Sequence, residues 1–385
     1  MAYKILVVDD EPDLELLVRQ RFRQQVRTGR FSFSFARDGR EALNTIANDP
    51  EIDLVLSDIN MPVMDGLALL AELDGLDRDL KAIVVSAYGD MQNIRAAMNR
   101  GAFDFVTKPI DFEDLETTIN KTLTTIDGIK QAQRERQQLL SIQQELNIAA
   151  RIQLSILPRK FPAFPGRKDF DLFAEIIPAK EVGGDLYDFF LLEEDRLGII
   201  IGDVSGKGVP AAIFMAVART LLRATAPQKL STGECLQYVN SVLAAQTDSA
   251  MFVTVFYAIL NTRSGEVEFS CAGHNPPYIF SKTNLRAIKE DPGMILGIID
   301  AVQYQTHHLQ LLPGEGILLY TDGVTEAGNL AEDFFGEERL EDWLRGSAGL
   351  PLQELVHGLV AKVKEFAGDA PQSDDITVMA ARYLG

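Results

Sequence analysis

Residues 112–157 contain no proline and a single glycine, Gly128, and the stretch closes on Pro158. Proline is poorly tolerated inside a helix, so a proline-free run of this length with helical periodicity reads as one long helix. It also divides the chain into two halves of different texture. Ahead of it, short apolar runs at 5–8, 31–35, 54–56, 82–85 and 103–106 alternate with amphipathic stretches such as Leu14, Leu17, Val18 and Phe22. That alternation predicts a doubly wound α/β domain, a parallel five-stranded sheet with helices on both faces. Behind it, runs at 186–192 and 197–202 flank the turn 193–196, and runs at 253–260 and 266–271 flank 261–265. Strands joined by short turns argue antiparallel sheet. Helical stretches follow at 209–226, 232–246, 337–345 and 351–367, which makes the second half α+β.

Within the long helix the apolar positions form two sets. Leu115, Ile119, Ile126 and Ile129 make the first, and Leu139, Ile142, Leu146 and Ala149 the second, shifted by one residue across the polar patch 130–138. A dimeric coiled coil is the natural way to bury such a stripe, and the slip locally alters the supercoil. The basic excess over residues 130–160 reads as a solvated helix surface.

The formal net charge of −19 excludes the usual nucleic-acid binder, whose affinity comes from neutralising phosphates. The two cysteines, Cys235 and Cys271, read as buried reduced thiols. The apolar run at 5–8 meets Asp9 too soon for a signal peptide, and the run at 211–218 is too short to cross a bilayer. The expectation is a cytoplasmic protein with no membrane and no nucleic-acid partner.

Two groups of aspartates carry the chemistry. In the first half, Asp9 and Asp10 end the first strand, Asp58 follows the third, Ser86 ends the fourth and Lys108-Pro109 follows the fifth. In a doubly wound sheet these ends share one edge, where ligands bind. Three carboxylates there suit one Mg²⁺, with Asn60 offering a backbone carbonyl. The ion and the Lys108 ammonium would neutralise a phosphoryl group, and central Asp58 is the candidate nucleophile. Lys108-Pro109 is a candidate cis peptide. In the second half, Asp185, Asp203, Asp322 and Asp374 sit at strand ends or in adjoining turns. Four such carboxylates suit two metals roughly 3.5–4 Å apart, bridged by Asp203, with the Val204 carbonyl exposed by the bend at Gly202 and Gly206. A water between two cations can attack phosphorus without a protein nucleophile. His274 reads either as a general acid or, more simply, as a structural histidine of its turn.

The ordered set Asp9-Asp10-Glu11, Asp58-Ile59-Asn60-Met61-Pro62, Asp65-Gly66, Ser86-Ala87 and Lys108-Pro109 resembles the receiver domain of bacterial two-component response regulators. The resemblance implies that Asp58 accepts phosphate from a histidine kinase. It makes Asp10 a direct and Asp9 a water-mediated ligand of Mg²⁺. Ser86 would bond the phosphoryl group, and Phe105 would be the aromatic that rotates inward with it. From about residue 145 the chain resembles the sporulation and stress-response branch of the metal-dependent, PP2C-like protein phosphatases. The motifs are Gly183-Gly184-Asp185-Leu186-Tyr187-Asp188, Gly202-Asp203-Val204-Ser205-Gly206-Lys207-Gly208, Ala272-Gly273-His274-Asn275-Pro276, Thr321-Asp322-Gly323 and Asp374-Asp375-Ile376-Thr377. They follow the helix-end stretch Ala149-Ala150-Arg151-Ile152-Gln153 and Leu157-Pro158.

This second resemblance implies two stacked antiparallel sheets flanked by helices. Asp185, Asp203 and the Val204 carbonyl would hold one Mn²⁺ or Mg²⁺, and Asp203, Asp322 and Asp374 the other, with Asp188 and Asp375 as alternative ligands. The family's eukaryotic-type phosphate-binding arginine has no counterpart ahead of Asp185, and Lys207 stands where this branch often has histidine. Together the resemblances imply a receiver domain (1–127), a helical coiled-coil linker (112–157) and a PP2C-like phosphatase domain (158–385). The implied output is a phosphorylation-controlled serine/threonine phosphatase acting on a phosphorylated anti-sigma-factor antagonist or similar phosphoprotein, as a homodimer through the linker. The alternative is a non-catalytic adaptor that binds a sigma factor or its regulator.

Overall fold

The computed structural model describes residues 2–76, 78, 80–87, 89–246 and 251–385. The chain forms two compact units, Met1–Ser141 and Ile142–Gly385. In the first, β1 (Tyr3–Val8), β2 (Phe31–Ala36), β3 (Ile52–Asp58), β4 (Lys81–Ala87) and β5 (Asp104–Lys108) form a sheet in the order β2-β1-β3-β4-β5. Every pairing is parallel. Alternation along β1 sends Ile5 and Val7 to one face, against Leu14 and Val18 of α1 (Pro12–Arg21). Leu6 and Val8 face the other way. They meet residues of α3 (Gly39–Asn48), α4 (Gly66–Asp74) and α5 (Met91–Asn99), a short α2 (Arg23–Arg27) having followed α1.

The long helix is continuous as α6, Phe112–Ile156. Only the first of its apolar sets is packed into a core. Leu115, Ile119 and Ile126 are buried in the core of the first unit beside Leu14 and Phe22. Leu139 and Ile142 remain exposed. The exposed set is under no constraint from that core to keep its register.

In the second unit, one sheet runs β13 (His307–Gln310), β10 (Glu266–Ala272), β9 (Val253–Asn261), β8 (Arg196–Val204), β7 (Leu186–Glu193). The other runs β12 (Leu285–Ala287), β11 (Tyr278–Phe280), β14 (Gly316–Tyr320), β15 (Ile376–Tyr383), β6 (Phe170–Ile177). All the strand pairs are antiparallel. Tyr187, Ile199, Phe256 and Phe269 of the first sheet share a core with Leu172, Ile317 and Met379 of the second. Helices α7 (Val209–Thr225) and α8 (Thr232–Gln246) cover the outer face of the first sheet. A short α9 (Asp322–Thr325) follows β14, and α10 (Gly336–Ser347) and α11 (Leu352–Ala367) cover the outer face of the second sheet.

One expectation about α7 needs correcting. Among the described residues, the segment Val209–Gln228 is long and apolar enough to cross a bilayer, with a mean hydropathy of 1.3. The run at 211–218 looked too short because Arg219 interrupts it, yet the helix continues. Ala211, Met215, Ala218 and Leu222 are buried against β7–β9. Arg219 and Arg223 bond Asp188 of β7, at 2.8 and 2.7 Å. These contacts account for its composition as a core helix.

Candidate functional site

The carboxyl edge of the parallel sheet gathers the first aspartate group. One ligand oxygen from each of Asp9, Asp10 and Asp58 lies within 4.8 Å of the others. The Lys108 ammonium stands 2.9 Å from Asp58 and 3.1 Å from Asp9, with Glu11 at 3.3 Å. Burial pulls this lysine down, but its bonds and charge interactions with Asp58 and Asp9 outweigh that and raise it. Burial raises Asp9, against hydrogen bonds from the Glu11 amide and Lys108. Gly66 is required by close approach, since a Cβ there would stand 2.2 Å from the Asp58 carbonyl oxygen. The Lys108-Pro109 bond is cis. Ser86 is fully buried and its hydroxyl has no hydrogen-bond partner. Phe105 is turned outward, 37% exposed. Asn60 sits in the exposed turn after β3. A clustered oxygen donor set beside an ammonium fits Mg²⁺.

The second group is looser: among the described residues only Asp9, Asp10 and Asp58 bring three such atoms within 4.8 Å, but the aspartates of the second group interact in pairs. Asp203 lies within hydrogen-bonding reach of Asp185 and feels the charges of Asp322 and Asp374. Burial, then those two neighbours, push its carboxyl up to about 7. Burial, then Asp203 and Asp375, raise Asp185 well above the carboxylate range. Asp322 is raised by burial and by Asp374. Carboxylates packed until they resist ionising are an arrangement that divalent cations relieve, so the donor set fits Mn²⁺ or Mg²⁺. The nearest ammonium stands at the rim, where half-exposed Lys207 pairs with Asp374 at 2.9 Å.

The geometry separates the paired alternatives. Asp188, three residues beyond Asp185, turns to the helical face of its sheet and is committed to Arg219 and Arg223. Asp375 accepts the amides of Ala179 at 2.7 Å and Gly184 at 2.6 Å, so its carboxylate serves the backbone of the Asp185 loop. His274 is buried, bonds Thr254 Oγ1 through Nδ1 at 2.8 Å, and leaves Nε2 without a partner. Burial holds it down at about 4, neutral at physiological pH, which supports the structural reading over the general acid.

Three contributors escaped the sequence reading. Thr321 and Thr377 donate their hydroxyls to Asp185 Oδ2, at 2.8 and 2.5 Å. Gln153 of α6 bonds the backbone of Gly183. The threonines lie inside the quoted motifs, so proximity to the aspartates was a signal. Gln153 also lay in a quoted stretch, but nothing there pointed to a partner 30 residues away.

Both halves of the chain match known families. Residues 5–120 match the response regulator receiver domain, and residues 193–384 match Stage II sporulation protein E (SpoIIE). The chain belongs to the family of receiver-linked phosphatases of the SpoIIE, PP2C-like type, a metal-dependent class. It is 30% identical over 275 residues to the phosphoserine phosphatase RsbU of Bacillus subtilis, covering 70% of this chain and 80% of RsbU. It is also 30% identical over 263 residues to protein IcfG of Synechocystis sp., covering 61% of this chain but only 41% of IcfG. Among solved structures, the SiaA PP2C domain of Pseudomonas aeruginosa is similar with a TM-score of 0.57 and 26% identity, over 64% of this chain and 98% of that one.

Proposed function

We propose that this protein is a response regulator whose output is hydrolysis of phosphoserine or phosphothreonine on a regulatory protein, controlled by phosphorylation of Asp58. The observation that carries the reading is the coexistence, in one chain, of an acid–lysine pocket at Asp58 and mutually interacting, largely buried carboxylates around Asp203. The phosphodonor is a histidine kinase. The likeness to RsbU favours an anti-sigma-factor antagonist as substrate, in the cytoplasm.

In the first site, Lys108 neutralises the incoming phosphoryl oxygens and Ser86 supplies the free hydroxyl that bonds them. In the second, Asp185, Asp203 and the Val204 carbonyl would hold one divalent cation, and Asp203, Asp322 and Asp374 the other. Such cations would supply an activated water for attack on phosphorus. Thr321 and Thr377 orient Asp185, and Lys207 offers the rim ammonium that meets the substrate phosphate. His274 stays neutral and moves no proton. Phosphorylation shifts α5, β5 and α6, and α6 carries the change onward through a linker dimer that covers Leu139 and Ile142.

Beryllofluoride, an acyl-phosphate mimic, tests the coupling. It should change the Mn²⁺-dependent rate on a phosphorylated antagonist in the wild type and leave Asp58→Ala unmoved. An unchanged wild-type rate and oligomeric state would falsify the coupling.

A further inference from the structure

Near its end, α6 buries one polar side chain among exposed neighbours. Gln153 is 8% exposed, whereas Ile152 beside it is 59% exposed. The carboxamide makes a reciprocal pair with one backbone residue of the second unit. Nε2 donates to the Gly183 carbonyl at 2.6 Å, and the Gly183 amide donates to Oε1 at 3.1 Å. Two antiparallel bonds fix the orientation of the residue as well as its distance, as a rung of sheet does.

The residue so held begins the stretch that carries Asp185. On its other side Asp375 Oδ2 accepts from the amides of Gly184 at 2.6 Å and Asp185 at 3.3 Å. The fit is tight at backbone level. A Cβ on Gly183 would stand 2.3 Å from Asp375 Oδ2, and one on Gly184 2.8 Å from the Val204 carbonyl oxygen. The loop is therefore wedged between Gln153 and Asp375, and it lies against the carbonyl assigned to a cation. Farther up α6, Gln143 Nε2 donates to Glu181 of the same loop at 3.2 Å.

We propose that Gln153 is a positioning residue of the phosphatase site, through which the last turns of α6 set the placement of Asp185. The inference rests on the reading of Asp185 and Asp203 as cation ligands. A helix that merely packed on the domain would need bulk at this position, which leucine supplies. A helix that sets the loop needs the carboxamide. Loss of partners behind a metal ligand characteristically weakens binding by about 10–100-fold.

The test uses the full chain and the variants Gln153→Leu and Gln153→Glu. Mn²⁺ binding is measured by calorimetry, and hydrolysis of p-nitrophenyl phosphate is measured across a Mn²⁺ series, with circular dichroism as the check of folding. Gln153→Leu should bind Mn²⁺ at least about 10-fold more weakly, with its activity curve displaced to higher Mn²⁺ by the same factor. Gln153→Glu retains the acceptor for the Gly183 amide and loses the donor, so it remains folded and also binds more weakly than the wild type. Wild-type Mn²⁺ affinity in both folded variants overturns the proposal. Failure of the wild type itself to bind Mn²⁺ overturns the underlying assignment of the ligands instead.

Discussion

The two aspartate groups use the same side chain for opposite electrostatic ends. In the first, an ammonium sits among the carboxylates, in contact with Asp58 and Asp9, and offsets part of their charge before any ligand arrives. In the second, Asp185 is fully buried against Asp203 with two threonine hydroxyls for company, and the nearest lysine stays at the rim beside Asp374. A lysine in contact suits a carboxylate that must act as nucleophile and then carry a phosphoryl group. Its absence from the interior suits a site that demands cations. The two groups thus differ in how much of their charge a neighbouring ammonium offsets before a cation binds.

The largest expected effect tests that difference directly. Asp203→Asn should lower hydrolysis of p-nitrophenyl phosphate by roughly 100-fold or more, the size of a lost preorganised electrostatic contact. Asp58→Asn should leave the basal rate alone. Equal losses in both would erase the distinction. Next comes Asp188→Asn, which strands Arg219 in a buried environment. Breaking a buried pair costs about 3–5 kcal/mol, to be read as a lowered midpoint in urea. Mn²⁺ affinity should not move, and if it did, Asp188 would belong with the ligands after all. Lys108→Ala should abolish labelling of Asp58 by acetyl phosphate, and Mg²⁺ should become more stabilising in the variant, as the only remaining counter-charge. A Mg²⁺-induced shift in melting temperature no larger than that of the wild type would break the claim that Lys108 already offsets part of the site's charge.

The smallest effect concerns His274. Its folded-state value of about 4 lies below the ordinary 6.5, so the folded protein favours the neutral ring. The stability this contributes is complete above about pH 6.5 and is lost as pH falls toward 4. By pH 5 the loss is about 2 kcal/mol. Comparing the pH dependence of unfolding in the wild type and His274→Asn separates the imidazole from the carboxylates. Parallel curves would contradict the burial argument.

Legibility in the sequence followed the range of the interactions. The parallel sheet could be read because β1, β3, β4 and β5 each write a local apolar run. The aspartates could be read because turns and strand ends advertise them. The hairpin strands β7 to β10 could be read from adjacent runs, whereas β6 pairs with β15 across two hundred residues and left no local mark. The pairing of Asp188 with Arg219 depends on which face of β7 it reaches and on a distant helix, and neither is written locally. The phase slip in α6 was visible, but which set is packed was not, because nothing in the helix says that Leu115 and Ile119 already have partners in β1 and α1. Gln153 was invisible for the same reason.

The pairing of Asp188 with Arg219 and Arg223 also bears on how the chain is made. While it is being synthesised, Val209–Gln228 is an apolar segment of membrane-spanning length with nothing yet folded behind it. Arg219 lies at its middle, where an arginine costs about 2.5–3.5 kcal/mol against insertion, and Arg223 lies nearer its end. Their counter-charge, Asp188, and the strand that carries it leave the ribosome first. Of the sheet that this helix covers, β7 and β8 thus precede it out of the ribosome, and β9, β10 and β13 complete it afterwards.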